Sequence, residues 1–228
     1  MSRASSRSIP DITPVAEPPY DCPHCPRLVA FHEENRAKYP DWHNGPVESF
    51  GDPEARLLIV GLAPGLQGAN KTARPFTGDY AGDLLYATLA KFGFTQGTYD
   101  ARPDDGLTLH DAMITNAVRC VPPQNKPTTA EIHTCRAFLI GRIKALPQIT
   151  HMLALGRIAH ESVLRMGGYR LADHPFGHAS RHELDGIVMY DSYHCSRYNT
   201  NTGRLTEEMF EDVFAQITDD LKRQPEQA

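Results

Sequence analysis

Short unbroken apolar runs alternate along this chain with longer stretches in which apolar residues recur every third or fourth position. The run RLLIVG at 56–61, bounded by Asp52-Pro53 and Gly61, reads as a strand buried on both faces. AMITNAV at 112–118, HMLALG at 151–156 and IVMYDSY at 187–193 repeat the type. Between them lie helices. Residues 82–92 carry Leu84, Leu85, Leu89 and Phe92 near helical spacing and stop at Gly93. Residues 129–145 follow a capping-box pattern, Thr128 with Glu131, ahead of Ile132, Cys135, Phe138, Leu139 and Ile143. A helix after 156 ends at Gly167-Gly168. In the last helix Met209, Phe210, Val213, Phe214, Ile217 and Leu221 form one apolar stripe. Acids fill its first turn and Lys222-Arg223 its end, as the helix dipole favours.

Strands alternating with helices predict an α/β fold whose central, mostly parallel four-stranded sheet is covered by helices on both faces. A single domain over 20–224 is expected, preceded by a disordered arm at 1–19. In such sheets ligands bind beyond the carboxyl ends of the strands. Three chemically unusual sequences lie there: GLAPG at 61–65, Asn116, and HCSRYNTNTGRLT at 194–206.

With 228 residues, 40% hydrophobic and 22% charged, the chain has room for one sizeable core. No apolar stretch is long enough for a signal peptide or a membrane span, so a soluble, cytoplasmic monomer without a membrane partner is expected. Five cysteines in that setting argue against a disulfide framework and leave metal binding, catalysis or core packing. The net charge of −5 speaks against a nucleic-acid partner until it is located. Residues 205–228 hold seven acids against two bases, so the remainder is neutral. Residues 116–170 hold eight Lys or Arg against two acids. This segment reads either as a face for a phosphate backbone or as ordinary solvated helix faces.

Cys22 and Cys25 form a C-x-x-C pair whose thiolates reach one metal, whereas fourteen residues separate Cys120 from Cys135. A loop rich in proline (Pro122, Pro123, Pro127) brings those two near each other. Four thiolates suit zinc or an iron-sulfur cluster, and spacing leaves both open. Cys195 is left over as a packed or free thiol.

The runs GLAPG at 61–65, ARPFTGD at 73–79, TNAVRC at 115–120 and H-C-S-x-x-N-x-x-T-G-R-L-T at 194–206 resemble the B-type, or fifth, family of the uracil-DNA glycosylase superfamily. The likeness spans about residues 20–220. It implies a three-layer α/β/α sandwich and hydrolysis of the N-glycosidic bond of uracil in DNA, with hypoxanthine and other deaminated bases as further substrates. It also implies a [4Fe-4S] cluster on Cys22, Cys25, Cys120 and Cys135.

The same resemblance assigns roles by position. Asp79 would stabilise the cationic sugar and orient water, and His194 would stabilise the departing oxyanion. Phe76 would stack on the base and Asn116 would address its O4 and N3–H, while Gly61, Ala63, Gly65 and Asn199 complete the base site. Ser196, Arg197, Tyr198 and Arg204 are expected near DNA, with Arg197 and Tyr198 as candidates for the wedge that fills the flipped base's space. Ala63 stands where related branches carry a polar, water-activating residue, which leaves that task to Asp79.

Two other classes of function compete. Gly65 with Lys71-Thr72 after a strand resembles a nucleotide-binding P-loop, with IVMYD at 187–191 as a magnesium-holding strand end, although Asn70 replaces the required second glycine. A non-catalytic, metal-stabilised nucleic-acid-binding module would use the cysteines and the basic segment but not Asp79 and His194 together.

Overall fold

A computed structural model describes residues 15–223. In chain order the elements are α1 (Pro26–Lys38), β1 (Phe50–Gly51), β2 (Leu57–Gly61), α2 (Ala69–Thr72), α3 (Tyr80–Lys91), β3 (Thr95–Gln96), β4 (Thr108–Leu109) and β5 (Ala112–Asn116). They continue with α4 (Thr129–Lys144), β6 (His151–Leu155), α5 (Arg157–Met166), β7 (Arg181–Leu184), β8 (Ile187–Ser192), α6 (Arg197–Asn201) and α7 (Glu207–Arg223). The main sheet has six strands in the order β1-β5-β2-β6-β8-β7. Its inner four, the four apolar runs of the sequence, are mutually parallel. The expected four-stranded sheet is thus extended by two antiparallel edge strands. Neither carries the signal of a buried strand: β1 is two residues long, and β7 alternates exposed and buried positions over RHEL.

Each inner strand sends successive side chains to opposite faces, which produces three layers. Leu57, Ile59, Ile114, Leu153 and Leu155 pack with α3 and α7 through Leu85, Leu89, Phe210 and Phe214. Leu58, Val60, Met113, Met152 and Ala154 pack with α4 and α5 through Leu139, Val163 and Leu164. The capping box forms as read: Glu131 N donates to Thr128 Oγ1 at 3.2 Å and Thr128 N to Glu131 Oε2 at 2.7 Å. Glu131 also accepts from Arg27 at 2.7 Å, which ties α1 to α4. Among the described residues no helix is long and apolar enough to cross a membrane.

Two readings of charge and order change here. Most of the arm read as disordered, 1–14, lies outside the described residues, but residues 15–19 run against the domain. Glu17 accepts from the buried Arg119 at 2.8 Å and from Arg142 at 3.0 Å. The basic segment is not one face for phosphates, because Arg119 is 1% exposed and Arg136 is 9% exposed. Arg142 is committed to Glu17, and Arg165 and Arg170 face Glu161 and Asp173.

Candidate active site and cysteine corner

Beyond the carboxyl ends of the inner strands lies a cleft of ≈ 520 Å³. The loop after β2 supplies Leu62, Ala63, Pro64, Gly65 and Gln67, and the turn before α3 supplies Phe76, Gly78 and Asp79. Asn116 at the end of β5 and His194, Ser196 and Arg197 after β8 complete the walls, with Tyr80, Ala81, Ala69 and Asn125 at the margins. The three strand-end sequences therefore converge on one site.

Phe76 stands in a left-handed backbone conformation (φ 53°), a costly state for a bulky residue that the surroundings must hold. They do so through a buried ion pair beneath the turn. Arg74 Nη2 lies 2.7 Å from Asp105 Oδ2, and Arg74 Nε donates to Thr77 Oγ1 at 2.7 Å. Tyr86 and Tyr99 donate to the carbonyls of Pro75 and Phe76 at 2.8 and 3.3 Å. The Phe76 ring then faces the His194 ring, centroids 5.9 Å apart and planes inclined by 26°. Gly61 makes this possible from below. A Cβ there would meet Asn116 Oδ1 at 2.4 Å and the Phe76 ring at 2.7 Å, so Gly61 is a floor position rather than a wall.

Asp79 is the N-cap of α3, and its Oδ1 accepts from Gly82 N at 3.3 Å. Its Oδ2 sits in space left by two glycines, 3.0 Å from where a Cβ on Gly65 would be and 2.4 Å from one on Gly68. Burial raises its pKa above the usual carboxylate value, and the N–H groups of Gly82 and Ala81 partly oppose that. Burial likewise lowers the His194 pKa to about 4, so the ring is neutral at pH 7 and offers a single N–H. Asn116 is 3% exposed and its Oδ1 has no hydrogen-bond partner, which makes it an orphaned acceptor at the edge of the cleft.

Other expected site residues stand apart from the cleft wall. Asn199 donates to the His194 carbonyl at 2.8 Å and so shapes the loop. Arg204 covers the Tyr193 ring at 4.5 Å, and Tyr198 projects into solvent at 73% exposure. Cys195 is fully buried, its Sγ 3.4 Å from the Ala81 carbonyl, as a packed thiol. Tyr80, which sequence reasoning passed over, lies under the Arg197 guanidinium at 5.3 Å. Its only signal was adjacency to Asp79.

The P-loop alternative fails on two counts. Lys71-Thr72 belong to the four-residue α2, which Ala73 ends in a left-handed conformation. Asp191 is fully buried, with both oxygens taken by histidines.

Cys22, Cys25, Cys120 and Cys135 line a second cavity together with Leu28 and His32 of α1. Cys25 is the N-cap of α1, Cys120 follows β5, and Cys135 lies inside α4, where its Sγ accepts from Arg119 N at 3.3 Å. Among the described residues, the one His/Cys/Asp/Glu trio whose ligand atoms come within 4.8 Å of one another is His160, His182 and Asp191. His32, 5% exposed, leaves its Nε2 without a partner.

The α/β sheet thus carries at its strand ends a polar cleft lined by one histidine, one half-buried aspartate, one asparagine and one aromatic ring. Residues 48–220 match the family model of the uracil DNA glycosylase superfamily. A type-5 uracil-DNA glycosylase of Thermus thermophilus is 46% identical over 84% of this chain and 90% of its own length. One of Pyrobaculum aerophilum is 36% identical over 88% and 89%. The crystal structure of Pedobacter heparinus SMUG2 shares the fold, with a TM-score of 0.50 and 13% identity over 94% of both chains. The chain belongs to the type-5 family of uracil-DNA glycosylases.

Proposed function

We infer that the protein hydrolyses the N-glycosidic bond of uracil, and of other deaminated bases, in DNA and leaves an abasic site. One observation carries the reading. Asn116 Oδ1 is a buried acceptor without a partner, a state that costs about 1–3 kcal/mol. An imide N–H such as uracil N3–H relieves that cost, and the amide nitrogen is then free to address the neighbouring carbonyl. Phe76 supplies a stacking face for a base drawn out of the helix.

Cleavage leaves negative charge on the base and positive charge on the sugar. A neutral His194 donates its N–H to the base oxyanion, with no reorganisation at the moment of reaction. The ionised Asp79 attracts the sugar cation and accepts a proton from the attacking water. Ala63 contributes no polar side-chain atom to the wall beside it, which supports both the assignment of water to Asp79 and a pocket tolerant of other bases. Exposed Tyr198 and its neighbour Arg197 suit the wedge, while Asn199 holds the loop that aims His194.

The cysteine corner fits the [4Fe-4S] cluster that the family resemblance implies. Four cysteine sulfurs are a donor set for such a cluster, and His32 Nε2, buried without a partner in the same cavity, would donate to a cluster sulfur in its Nε2–H tautomer. When bound, the cluster supplies iron-thiolate cross-links among the N-terminal segment, the end of β5 and α4. Incubation with a uracil-containing oligonucleotide, followed by alkaline strand scission, should reveal abasic sites. Absence of scission by iron-replete protein would overturn the reading.

A further inference from the structure

A second charged cluster lies behind the cleft and takes no part in the chemistry above. Asp191 near the end of β8 is 0% exposed, His160 in α5 is 2% exposed and His182 in β7 is 9% exposed. Asp191 Oδ1 lies 2.8 Å from His160 Nδ1, and its Oδ2 lies 3.0 Å from His182 Nε2. His160 Nε2 lies 3.0 Å from the His174 carbonyl. Both nitrogens of His160 therefore face acceptors. The edge of Phe176 closes the site, with ring centroids 5.4 Å apart. A buried polar pair of this kind adds little net stability, since desolvation offsets attraction, so its placement is more telling than its strength.

That placement joins the two segments that flank His194. Asp191 is three residues before His194 along β8 and its continuation. His160 lies in the first turn of α5, its N–H donating to Gly156 O at 3.1 Å. Gly156 N donates in turn to Ser192 O at 2.8 Å, and a Cβ on Gly156 would come within 3.5 Å of His194 Cβ. The start of α5 is thus the surface against which the His194 backbone rests. We propose that the His160–Asp191 pair, anchored by His182, is a positioning device that locks the start of α5 to the end of β8 and so fixes where His194 points.

This inference rests on the role given to His194, and a double-mutant cycle separates the two. Single-turnover excision of uracil by the full-length, iron-replete protein would be measured for Asp191→Asn and His160→Gln, each alone and combined with His194→Ala. A misplacement of about 1 Å costs up to about 10²-fold in rate. Each single variant should therefore excise about ten- to a hundred-fold more slowly, at a temperature where circular dichroism shows it folded, with DNA affinity within about threefold of wild type. In the His194→Ala background the same substitutions should cost less than about twofold, because nothing is left to aim. Equal losses in both backgrounds would show a general structural role and overturn the proposal, as would wild-type rates in the single variants. Stoichiometric zinc dependent on His160 and His182 would overturn the proton-bridged pair. If His194→Ala itself excises at the wild-type rate, the reading of His194 fails first, and that outcome is read directly. If Asp191→Asn does not fold, His160→Gln carries the cycle.

Discussion

The cleft and the cysteine corner are separated by only three residues along the chain, between Asn116 and Cys120, and they are built on opposite plans. The cleft is open and rests on a few costly features: a left-handed Phe76, an acceptor without a partner and a desolvated aspartate. The corner is closed and draws on Cys22, Cys25, Cys120 and Cys135, from an N-terminal segment, a strand end and a helix. Between them, Ala117, Val118 and Arg119 are almost wholly buried, and Ala117 N and Val118 N extend the β2–β5 pairing onto Gly61 O and Leu62 O at 2.9 Å each. A rigid connection is what a strained site needs. On the proposed reading the corner holds the frame, and the cleft uses that rigidity for charge and shape.

The comparison breaks most sharply if the cleft's chemistry does not rest on few groups. Removing one preorganised electrostatic group typically costs about 10²- to 10³-fold in rate. Asp79→Asn and His194→Ala should each show losses of that order in single-turnover excision, with DNA binding largely kept. If both serve one transition state, as proposed, the double variant should lose less than the product of the two effects. An Asp79→Asn enzyme within about threefold of wild type, a change of about 0.7 kcal/mol, would show that water is positioned by another group.

The next effect belongs to shape. Gly61→Ala places a methyl within 2.4 Å of Asn116 Oδ1 and 2.7 Å of the Phe76 ring, so the base floor must move while the frame need not. Excision should fall by about tenfold or more through loss of the near-attack geometry, with little change in thermal midpoint. A large drop in midpoint with unchanged excision would place Gly61 in the frame instead.

At the corner the expected pattern is reversed. Cys25→Ser should lower iron content, acid-labile sulfide and solubility together, while the folded, iron-bearing fraction keeps its excision rate within about threefold. A variant that stays soluble and iron-replete would show that Cys25 does not hold the cluster. Stoichiometric zinc without iron in anaerobically purified wild type would replace the cluster by a single ion.

The parts of this organisation that were legible in the sequence are those whose signal is local. The inner strands are continuous apolar runs because both faces are covered, and α4 announces itself by Thr128 and Glu131. The edge strands β1 and β7 carry no such run, and their pairing is decided by neighbours far away in sequence. The same division holds in the site. Asn116 and His194 sit at or just after strand ends, Phe76 and Asp79 in the motif before α3, and the four meet in the cleft. The roles of Arg74, Asp105 and Glu17 were not legible, because each depends on a partner that only folding supplies, 31 residues away for the first pair and 102 from Arg119 for Glu17. Asp191 was visible only as a strand-end acid, a signal equally suited to a metal ligand.

The gentlest test of the comparison is the pH dependence of excision, because it asks which cleft group titrates without changing any side chain. His194 has its pKa lowered to about 4, so it stays neutral from neutral pH down toward that value and adds no limb near the ordinary histidine value of about 6.5. Asp79 has its pKa raised by burial, so it becomes protonated at a higher pH than a free aspartate, whose value is about 3.9. The chemistry needs the ionised carboxylate, and the rate should therefore fall as pH drops through the raised Asp79 value, by about tenfold per unit below it. Single-turnover rates from pH 8 downward through the acid limb, with DNA kept saturated at each pH, isolate this step from binding. Asp79→Asn should abolish the acid limb along with most of the activity, whereas His194→Ala should leave the limb where it is. A limb near pH 6.5 that vanishes in His194→Ala would mean that the histidine acts in its charged form, and the division of labour between a neutral donor and an ionised carboxylate would have to be reversed.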